Sequence, residues 1–289
     1  MSMPQPDLPL SSAIESSAVE SSTVAKLDSG TANRALWYEI FANGHPELMA
    51  YQRFNRRLPS PPRCKMCYAP FKGLGGAWMK LRGRAPSNRN PRFCSRCDTF
   101  IRSFPGGAEV EMSFLFADVR GSTPLAERVT PTEFSRAMNR FYETAVAIIN
   151  ETDGFIIDLV GDAVVGLYPP GFSGPDHAKK AIEAAKALIR ADIPMGGLEG
   201  PIKLGVGVHS GVAFIGTVGT SSEAGIADVR ALGDNVNIAA RLASIARPGQ
   251  ALISESAYRA AGTKLPSSEQ VSVELKGKSL PVTVCALSA

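Results

Sequence analysis

Two pairs of cysteines have the spacing of a metal site. Cys64 and Cys67 form one Cys-x2-Cys pair, Cys94 and Cys97 form another, and 26 residues separate the pairs. Each pair makes a tight knuckle with both sulfurs on one side, so two knuckles supply the four thiolates of a structural zinc site. An iron–sulfur cluster uses the same four ligands, and a redox disulfide is a third alternative. Cys285 lies in an apolar stretch and is expected to be a buried core thiol.

A carboxylate beside a turn of small residues indicates a second kind of site. Asp118 ends the apolar stretch 112–117, and Gly121, Ser122 and Thr123 follow it at the predicted start of a helix. Backbone N–H groups at such a turn suit phosphate, and a carboxylate beside phosphate suits Mg²⁺ or Mn²⁺. Alternatively, Asp118 only caps the turn.

A predicted hairpin places a second carboxylate near the first. The apolar runs 155–160 and 163–168 flank Gly161-Asp162, which is a two-residue turn signal. If this hairpin lies beside the 112–117 strand, Asp162 approaches Asp118, and two carboxylates at one point are costly unless a cation neutralises them. As a turn residue alone, Asp162 has only a structural role.

Asn237 and Arg241 are four residues apart, and hence on one face of a predicted helix. They would either orient a substrate phosphate and stabilise developing charge, or lie on a solvated surface. Nucleotide motifs of other classes are missing, since the sequence has no GxxxxGK[ST] and residues 205–210 break the GxGxxG pattern. His209 is expected to be a hydrogen-bonded core histidine.

The net charge of +4 combines two parts of opposite sign. Residues 51–102 contain 13 Lys and Arg and one acid, so they carry about +12 against about −8 for the remainder. This basic segment permits nucleic-acid binding, with Tyr68, Phe71 and Trp78 placed to stack on bases. The interpretation that we favour is a face that docks on the acidic remainder of the chain.

Composition divides the chain into three segments. Residues 1–30 contain eight serines and no aromatic residue, so we expect a disordered tail. Residues 31–105 are predicted to hold two short helices, interrupted near Gly44, followed by the cysteine module, and Gly106-Gly107 has the composition of a hinge. Residues 108–289 alternate apolar strands with helices.

This alternation predicts an α+β sandwich with helices on one face of a sheet. The helix after Asp118 is expected to begin with Thr123 as N-cap. The other expected elements are helices 134–150, 176–191 and 235–245, and strands 112–117, 155–160, 163–168, 202–208, 212–218, 250–254 and 280–287, with 202–208 and 212–218 paired around His209-Ser210-Gly211. The sequence shows no membrane span and no signal peptide, and its five cysteines fit a reducing cytoplasm.

Four sequence blocks together resemble the catalytic domain of class III adenylate and guanylate cyclases. The blocks are 114–123, 159–162, 205–211 and 231–242, and they occur in the order of the family. The resemblance runs from about residue 110 to residue 286. Four blocks in order are far more specific than any one of them.

The resemblance implies a ferredoxin-like α/β sandwich that converts ATP or GTP to a 3′,5′-cyclic nucleotide and pyrophosphate, the reaction of a phosphorus–oxygen lyase. Asp118 and Asp162 match two aspartates that hold two Mg²⁺ or Mn²⁺ ions. Asn237 and Arg241 match the pair that orients the ribose and stabilises the transition state. Because the family's sites form between two catalytic domains, a homodimer is expected.

Further substrate contacts are expected around the phosphates. The turn of Gly121, Ser122 and Thr123 would face them. Either Lys276 or Lys278, in the stretch that resembles the family's last hairpin, would join that turn, and the sequence does not distinguish the two lysines.

The positions that would read the base depart from the adenylate cyclase pattern. Asp158 stands where those enzymes usually carry Lys, and Arg230 stands where they usually carry Asp, Thr or Ser. In the family the first position faces purine N1 and the second faces the 6-substituent, so an acceptor and a donor would fit guanine. Alternatively, Asp158 and Arg230 pair with each other, and the choice between ATP and GTP stays open.

A rival interpretation comes from another class of protein. In it the chain is a zinc-containing protein that binds nucleic acid or a protein partner, and the cyclase-like domain binds nucleotide without turnover. Retention of Asp118, Asp162, Asn237 and Arg241 argues against such a loss of catalysis.

Overall fold

The computed structural model describes residues 29–58, 61–195, 200–219, 227–264 and 270–289. The predicted tail lies outside these ranges except for its last two residues. Helix α1 (Ser29–Tyr38) runs into a π-helical turn (Glu39–Asn43), and α2 (Pro46–Arg56) follows. The predicted break between two short helices is therefore present, although α1 begins two residues before the predicted boundary at residue 31.

The cysteine module contains two helices that the sequence analysis did not predict. These are α3 (Gly73–Leu81) and α4 (Ser95–Ser103). Cys94 is the N-cap residue of α4, so Cys97 lies in its first turn. Helix α3 contains three glycines among its nine residues, a composition that predicts a loop from sequence alone.

An α+β domain follows, as expected. Its elements are β1 (Gly107–Val119), α5 (Ser122–Arg128), α6 (Pro131–Glu151), β2 (Phe155–Val160), β3 (Ala163–Tyr168), α7 (Pro170–Ser173), α8 (His177–Arg190), β4 (Leu204–Gly219), β5 (Ala227–Leu232), α9 (Asp234–Ile245), β6 (Gln250–Ser254), α10 (Glu255–Ala260), β7 (Gln270–Val273) and β8 (Val282–Ser288).

The strands form one sheet in the order β2-β3-β1-β4-β6-β8-β7, and β5 also pairs with β4. The first four strands and the helices α6 and α8 follow the order β-α-β-β-α-β, with antiparallel neighbours, which is the ferredoxin-like arrangement. Only β4 and β6 pair in parallel among the described strands.

Both faces of the central strand β1 are buried. Leu115, Ala117 and Val119 contact the core beneath α6, α8 and α10, whereas Met112 and Phe114 contact the core on the opposite face. Successive side chains of a strand point to opposite faces, which explains this division. The second face is covered by α9 and by the N-terminal segment, so the expectation of helices on one face only is wrong.

The N-terminal segment and the catalytic sheet share one hydrophobic core. Trp37 and Phe41 are fully buried in it, and Phe41 packs edge-on against Phe155 of β2 with ring centroids 5.9 Å apart. The indole N–H of Trp37 donates to the Phe104 carbonyl at 2.9 Å. The two parts are therefore packed against each other across apolar surface.

Basic side chains of the module also contact the catalytic domain. Arg56 pairs with Asp153, and Lys65 donates to the Ile157 carbonyl at 2.5 Å. Arg92 lies 3.2 Å from Asp158. The docking face that the charge distribution predicted is thus present.

The Gly106-Gly107 pair is not a hinge. Gly107 already belongs to β1, and a Cβ on it would lie 2.5 Å from the Ile215 carbonyl and 2.7 Å from Gly216 Cα. The carbonyl of Gly106 accepts a hydrogen bond from Thr217 at 2.7 Å. The two glycines allow β1 and β4 to approach closely, which fixes this junction.

Residues 202–218 do not form a pair of strands. They lie largely in the single 16-residue strand β4, whose pairing with β1 continues through His209 and Gly211. The sequence pattern predicts a turn at Gly211, but a Cβ there would lie 2.6 Å from Asn235. Close packing of a helix on the strand therefore explains this glycine.

The helix after Asp118 begins two residues earlier than predicted. Gly121, not Thr123, is its N-cap, and Gly121 has a φ of 73°. This left-handed conformation is accessible to glycine without strain, so the chain turns directly from β1 into α5. None of the helices in the described ranges is both long enough and apolar enough to cross a bilayer.

Asp153 provides a test of the contact between the module and the sheet. It accepts from Arg56 of the module and, at 2.8 Å, from Lys180 of α8. Burial raises its pKa, but the two cations outweigh burial and hold the pKa of Asp153 below its ordinary value of 3.8. Its backbone has a φ of 61°, which asparagine tolerates.

We therefore expect Asp153→Asn to lower the free energy of unfolding by about 1 kcal/mol at pH 7, a figure discounted for solvent screening. Because the folded-state pKa is depressed, this contribution persists above pH 3.8 and disappears as the pH falls below that value. Urea unfolding at several pH values measures it, with the exposed Asp192→Asn as a control that unfolds like the wild type. An equal loss at pH 7 and pH 3 would contradict the assignment.

Candidate active site and tetracysteine site

Asp118 and Asp162 lie beside each other where β1 meets the tip of the β2–β3 hairpin. Asp118 pairs with Ala163 in the register of β1 and β3, and the Val119 amide donates to the Asp162 carbonyl at 3.0 Å. Two carboxylates from separate elements therefore reach one place, as the hairpin prediction required.

Each carboxylate is hydrogen-bonded by a residue of the following turn. Arg120 pairs with Asp118, and the Ser122 hydroxyl donates to Asp162. Burial raises the pKa of Asp118, and the like charge of Asp162 adds to this effect, so the pKa is raised although Arg120 opposes it. Adjacent hard oxygen donors that repel each other fit Mg²⁺ or Mn²⁺.

The turn between β1 and α5 is accessible to a ligand. Gly121 and Thr123 are exposed, and Ser122 is half-buried. The turn adjoins Asp118 and Asp162, so a phosphate held by it would lie close to both carboxylates.

Asn237 and Arg241 lie on α9, one turn apart. Asn237 is exposed. The guanidinium of Arg241 lies against Gly277, since a Cβ on Gly277 would be 3.6 Å from Arg241 Nη2. Arg241 Nη1 is buried and has no hydrogen-bond partner within the described part of the chain. Such an unsatisfied donor is costly unless a ligand accepts from it.

The two candidate lysines differ in their surroundings. Lys278 donates to Asp234 at the start of α9, whereas Lys276 is exposed. Lys278 therefore lies beside the start of α9, the helix that carries Arg241, whereas Lys276 has no described contact with that helix.

Within one chain, the described contacts do not bring Asn237 and Arg241, one half of the site, to Asp118 and Asp162, the other half. Arg120 links the carboxylate end to α9 through the Ser244 carbonyl at 2.7 Å, but neither Asn237 nor Arg241 has a described contact with Asp118 or Asp162.

Asp158 and Arg230 form an ion pair. Of the two alternatives left open by the sequence, pairing between them is therefore the one found. Burial raises the pKa of Asp158, but Arg230 and Arg92 outweigh it and lower that pKa. Asp158 is charged at neutral pH, and Arg230 already occupies its outer oxygen.

A β-bulge in β2 positions Asp158. The pairing of β2 with β3 shifts between Ile156 and Asp158, which leaves Ile157 as the extra residue. Lys65 of the cysteine module donates to the Ile157 carbonyl, and burial lowers the pKa of Lys65 to about 8. The module therefore supports the irregular part of β2.

Four cysteine sulfurs converge in the module. The Sγ atoms of Cys64, Cys67, Cys94 and Cys97 all lie within 4.8 Å of one another, and all four residues are buried. In addition, the Cys94 amide donates to Cys64 Sγ at 3.2 Å. Four buried thiols that lie this close together fit a tetrahedral metal ion, as the cysteine spacing predicts.

The surroundings of the sulfurs favour a thiolate at Cys94 but not at Cys64 or Cys97, because burial and the shared thiol hydrogen bonds raise the pKa of those two thiols well above the ordinary value. Hydrogen bonds from the other three thiols hold the pKa of Cys94 far below its ordinary value. Arg84 lies 3.6 Å from Cys67 Sγ, and although burial lowers the pKa of Arg84, the neighbouring cysteines raise it overall. A buried cation beside the cluster offsets part of the negative charge of four thiolates.

At least six of the 13 basic residues of the segment 51–102 have a hydrogen-bond or ion-pair partner in the described part of the chain. Their partners are backbone carbonyls, a cysteine sulfur or carboxylates, and the residues are Arg56, Arg63, Lys65, Arg84, Arg92 and Arg102. Arg56, Lys65 and Arg92 contact the catalytic domain, whereas the other three bind within the segment itself.

Several site residues were missed by the sequence analysis. Asp228 contacts both Arg92 and Arg230, and Arg120 and Arg84 pair with Asp118 and Cys67. Arg120 lies inside the block 114–123 and was open to inspection, whereas no local pattern marks Asp228. His209 and Cys285 are buried, as predicted, and His209 bonds Ser254 at 2.9 Å and Asn235 at 3.0 Å.

Comparison with known proteins points to one family. A family model of the adenylate and guanylate cyclase catalytic domain matches residues 108–287. An adenylate cyclase of Anabaena cylindrica is 31% identical over 189 residues, which cover 62% of this chain and 37% of that protein. The receptor-type guanylate cyclase gcy-13 of Caenorhabditis elegans is 32% identical over 154 residues, covering 51% of this chain and 14% of that protein.

Solved structures agree with this match. The guanylyl cyclase Cya2 has a TM-score of 0.56 and 25% identity, covering 62% of this chain and 92% of that chain. The adenylyl cyclase CyaB of P. aeruginosa has a TM-score of 0.55 and 22% identity, which supports the fold.

Fold and site together define a class III nucleotidyl cyclase catalytic domain. The chain belongs to the adenylate and guanylate cyclase catalytic domain family. It spans 37% of the Anabaena relative and 14% of the Caenorhabditis relative, so both relatives contain much sequence without a counterpart here.

The four cysteines generate a prediction about metal content. We expect about one zinc ion per wild-type chain and none in Cys64→Ser, because three thiolates and a hydroxyl bind zinc poorly. Since metal binding contributes to folding, the variant should also lose several kcal/mol of stability. Elemental analysis and thermal unfolding measure both.

Cys285→Ser is the matched control, since Cys285 is buried but lies outside the cluster. It should keep the metal. Iron with inorganic sulfide in the wild type would identify the cluster alternative, and an unchanged metal content in Cys64→Ser would contradict the site.

Proposed function

We propose that the chain converts ATP or GTP to the 3′,5′-cyclic nucleotide and pyrophosphate for cyclic-nucleotide signalling. The observation that carries the proposal is the meeting of Asp118 and Asp162, two carboxylates from separate elements, beside an exposed turn. Family membership supports it, and the named relatives include both an adenylate and a guanylate cyclase.

The reaction is an internal displacement at phosphorus. The ribose 3′-oxygen forms a bond to the α-phosphorus, the bond from that phosphorus to the bridging oxygen breaks, and pyrophosphate leaves while the 3′-hydroxyl loses its proton. Two Mg²⁺ or Mn²⁺ ions held by Asp118 and Asp162 would make the 3′-hydroxyl more acidic and offset the charge of the triphosphate.

The remaining roles belong to the chain's own groups. The turn of Gly121, Ser122 and Thr123 would hold the phosphates. Arg241, with its unpaired Nη1, would donate to the oxygen on which charge develops, and Asn237 would orient the ribose. Lys278 or Lys276 would add positive charge beside them.

A homodimer with active sites at the interface fits the separation of the two halves. Asn237 is exposed and has no described contact with the carboxylates of its own chain. In a two-fold dimer, α9 of one chain would complete the carboxylate pair of the other, giving two equivalent sites.

The cysteine module would bind zinc and stabilise this assembly. Four free thiols fit a reducing cytoplasm, where we place the reaction. The internal use of the module's basic residues argues against the rival nucleic-acid-binding function.

The first experiment assays both cyclic nucleotides from purified full-length protein with Mn²⁺ and either ATP or GTP. We expect a cyclic product, and we expect Asp118→Ala to lower its rate at least about a hundredfold because a metal contributes several kcal/mol to the transition state. If dimeric, metal-loaded protein makes neither cyclic AMP nor cyclic GMP, the proposed function is contradicted.

The same assay tests the shared site. Asp118→Ala and Arg241→Ala should each be inactive alone, but a mixture should recover about a quarter of the wild-type rate. Random exchange makes half of the dimers mixed, and each of these has one intact site out of two. A mixture that stays inactive after subunit exchange would place the whole site within one chain.

A further inference from the structure

Four charged side chains form a closed ring between the cysteine module and the catalytic sheet. Arg92 of the module lies 3.2 Å from Asp158 of β2 and 3.1 Å from Asp228 of β5. Arg230 of β5 pairs with Asp158 and lies 3.6 Å from Asp228. Each arginine thus bridges both aspartates.

The carboxylates lie inside this ring and the guanidinium groups lie outside. The side chains of Asp158 and Asp228 are 9% and 11% exposed, whereas those of Arg92 and Arg230 are 41% and 37% exposed. Asp158 also accepts from the Leu159 amide at 3.0 Å, and Asp228 accepts from the Val229 amide at 2.9 Å. The ring therefore offers N–H donors, not carboxylate acceptors, to a ligand.

The cysteine knuckles hold Arg92 in this position. The Arg92 carbonyl accepts from the Lys65 amide at 3.0 Å, so the two knuckles are joined beside their cysteines. Asn90, two residues earlier, donates to the Ala227 carbonyl of β5 at 3.1 Å, while Lys65 holds Ile157 of β2. The segment that carries Arg92 is thus fixed to the strands that carry its partners.

We propose that Arg92 is a specificity-determining residue of the nucleotide site and that, with Arg230, it selects guanine. This inference rests on the proposed function and on the family resemblance, which implies that positions 158 and 230 face the base. Guanine presents two acceptors, O6 and N7, on one edge, and the planar fork of arginine donates to both. Adenine presents an amino donor in place of O6, which would meet a donor. The cysteine module is then part of the base site.

The test compares kcat/KM for GTP and ATP in metal-loaded full-length protein. The wild type should favour GTP at least about tenfold, and Arg92→Ala should reduce that ratio about tenfold through a higher KM for GTP, with ATP turnover little changed. Arg89→Ala removes a charge from the same loop and has no described contact with the ring, so it should keep the wild-type ratio.

A structural role alone would lower kcat/KM for both nucleotides equally. Arg92→Lys addresses the same point if Arg92→Ala unfolds, since lysine keeps the charge but lacks the planar fork, and it should also lower the ratio.

Three results would overturn the inference: a wild type that prefers ATP, an unchanged GTP to ATP ratio in the Arg92 variants, or an equal loss for both nucleotides. A wild type that makes neither product would instead remove the proposed function, and the inference with it.

Discussion

Convergence of four cysteine sulfurs is the constraint on which the cysteine module depends. Helix α3 lies between the two knuckles and α4 begins within the second, and each has nine residues, which is too short for stability on its own. A metal ion shared by the knuckles would supply the missing folding energy. Once the knuckles are formed, Lys65 and Arg92 are carried to fixed positions beside Cys64 and Cys94.

The consequence reaches the catalytic sheet because β2 is an edge strand with a bulge. An edge strand leaves backbone groups without partners, and here Lys65 satisfies the carbonyl of the bulged Ile157. The buried Asp158 and Asp228 would repel each other, but the two arginines of the ring neutralise both. The module thus stabilises the irregular, charged corner of the sheet that the ferredoxin-like core leaves open.

Strand pairing, and not the cysteine module, positions the two carboxylates of the site. The strand β1 is held on both sides by β3 and β4, and both of its faces are buried, so Asp118 at its end is rigidly placed. Asp162 reaches it because the hairpin turn fixes the register of β2 and β3. Arg241 Nη1 is buried without a hydrogen-bond partner among the described residues, a cost that an acceptor group of a ligand would offset.

Short sequence patterns predicted correctly those elements that are specified by neighbouring residues in the chain. The hairpin at Gly161-Asp162, the helix α8 and the strand β6 were placed within one residue of their bounds, and the juxtaposition of Asp118 with Asp162 followed from the hairpin. The predictions of a strand pair in place of β4 and of a hinge at Gly107 were wrong, because the glycines there allow close packing between segments distant in sequence. Strands β5 and β7 were not predicted, since the charged Asp228 and Arg230 interrupt the apolar pattern of β5 and β7 has only four, largely exposed residues.

The charged ring was out of reach of sequence reasoning for a similar reason. Its members are residues 92, 158, 228 and 230, and only the last two are near each other in the chain. Asp158 and Arg230 were singled out through the family resemblance, and their pairing was one of two open alternatives. Nothing in the local sequence connects either of them to Arg92 of the cysteine module.

Amide hydrogen exchange on the full chain, before and after removal of the metal by a chelator, is the most direct test of the account. It shows whether the module stabilises the corner of the sheet that carries Asp158 and Asp228. The account predicts that β2 and β5 lose at least about tenfold of their protection together with residues 61–104, while β6 keeps its protection. Loss of protection confined to residues 61–104, with β2 and β5 unchanged, would contradict the account.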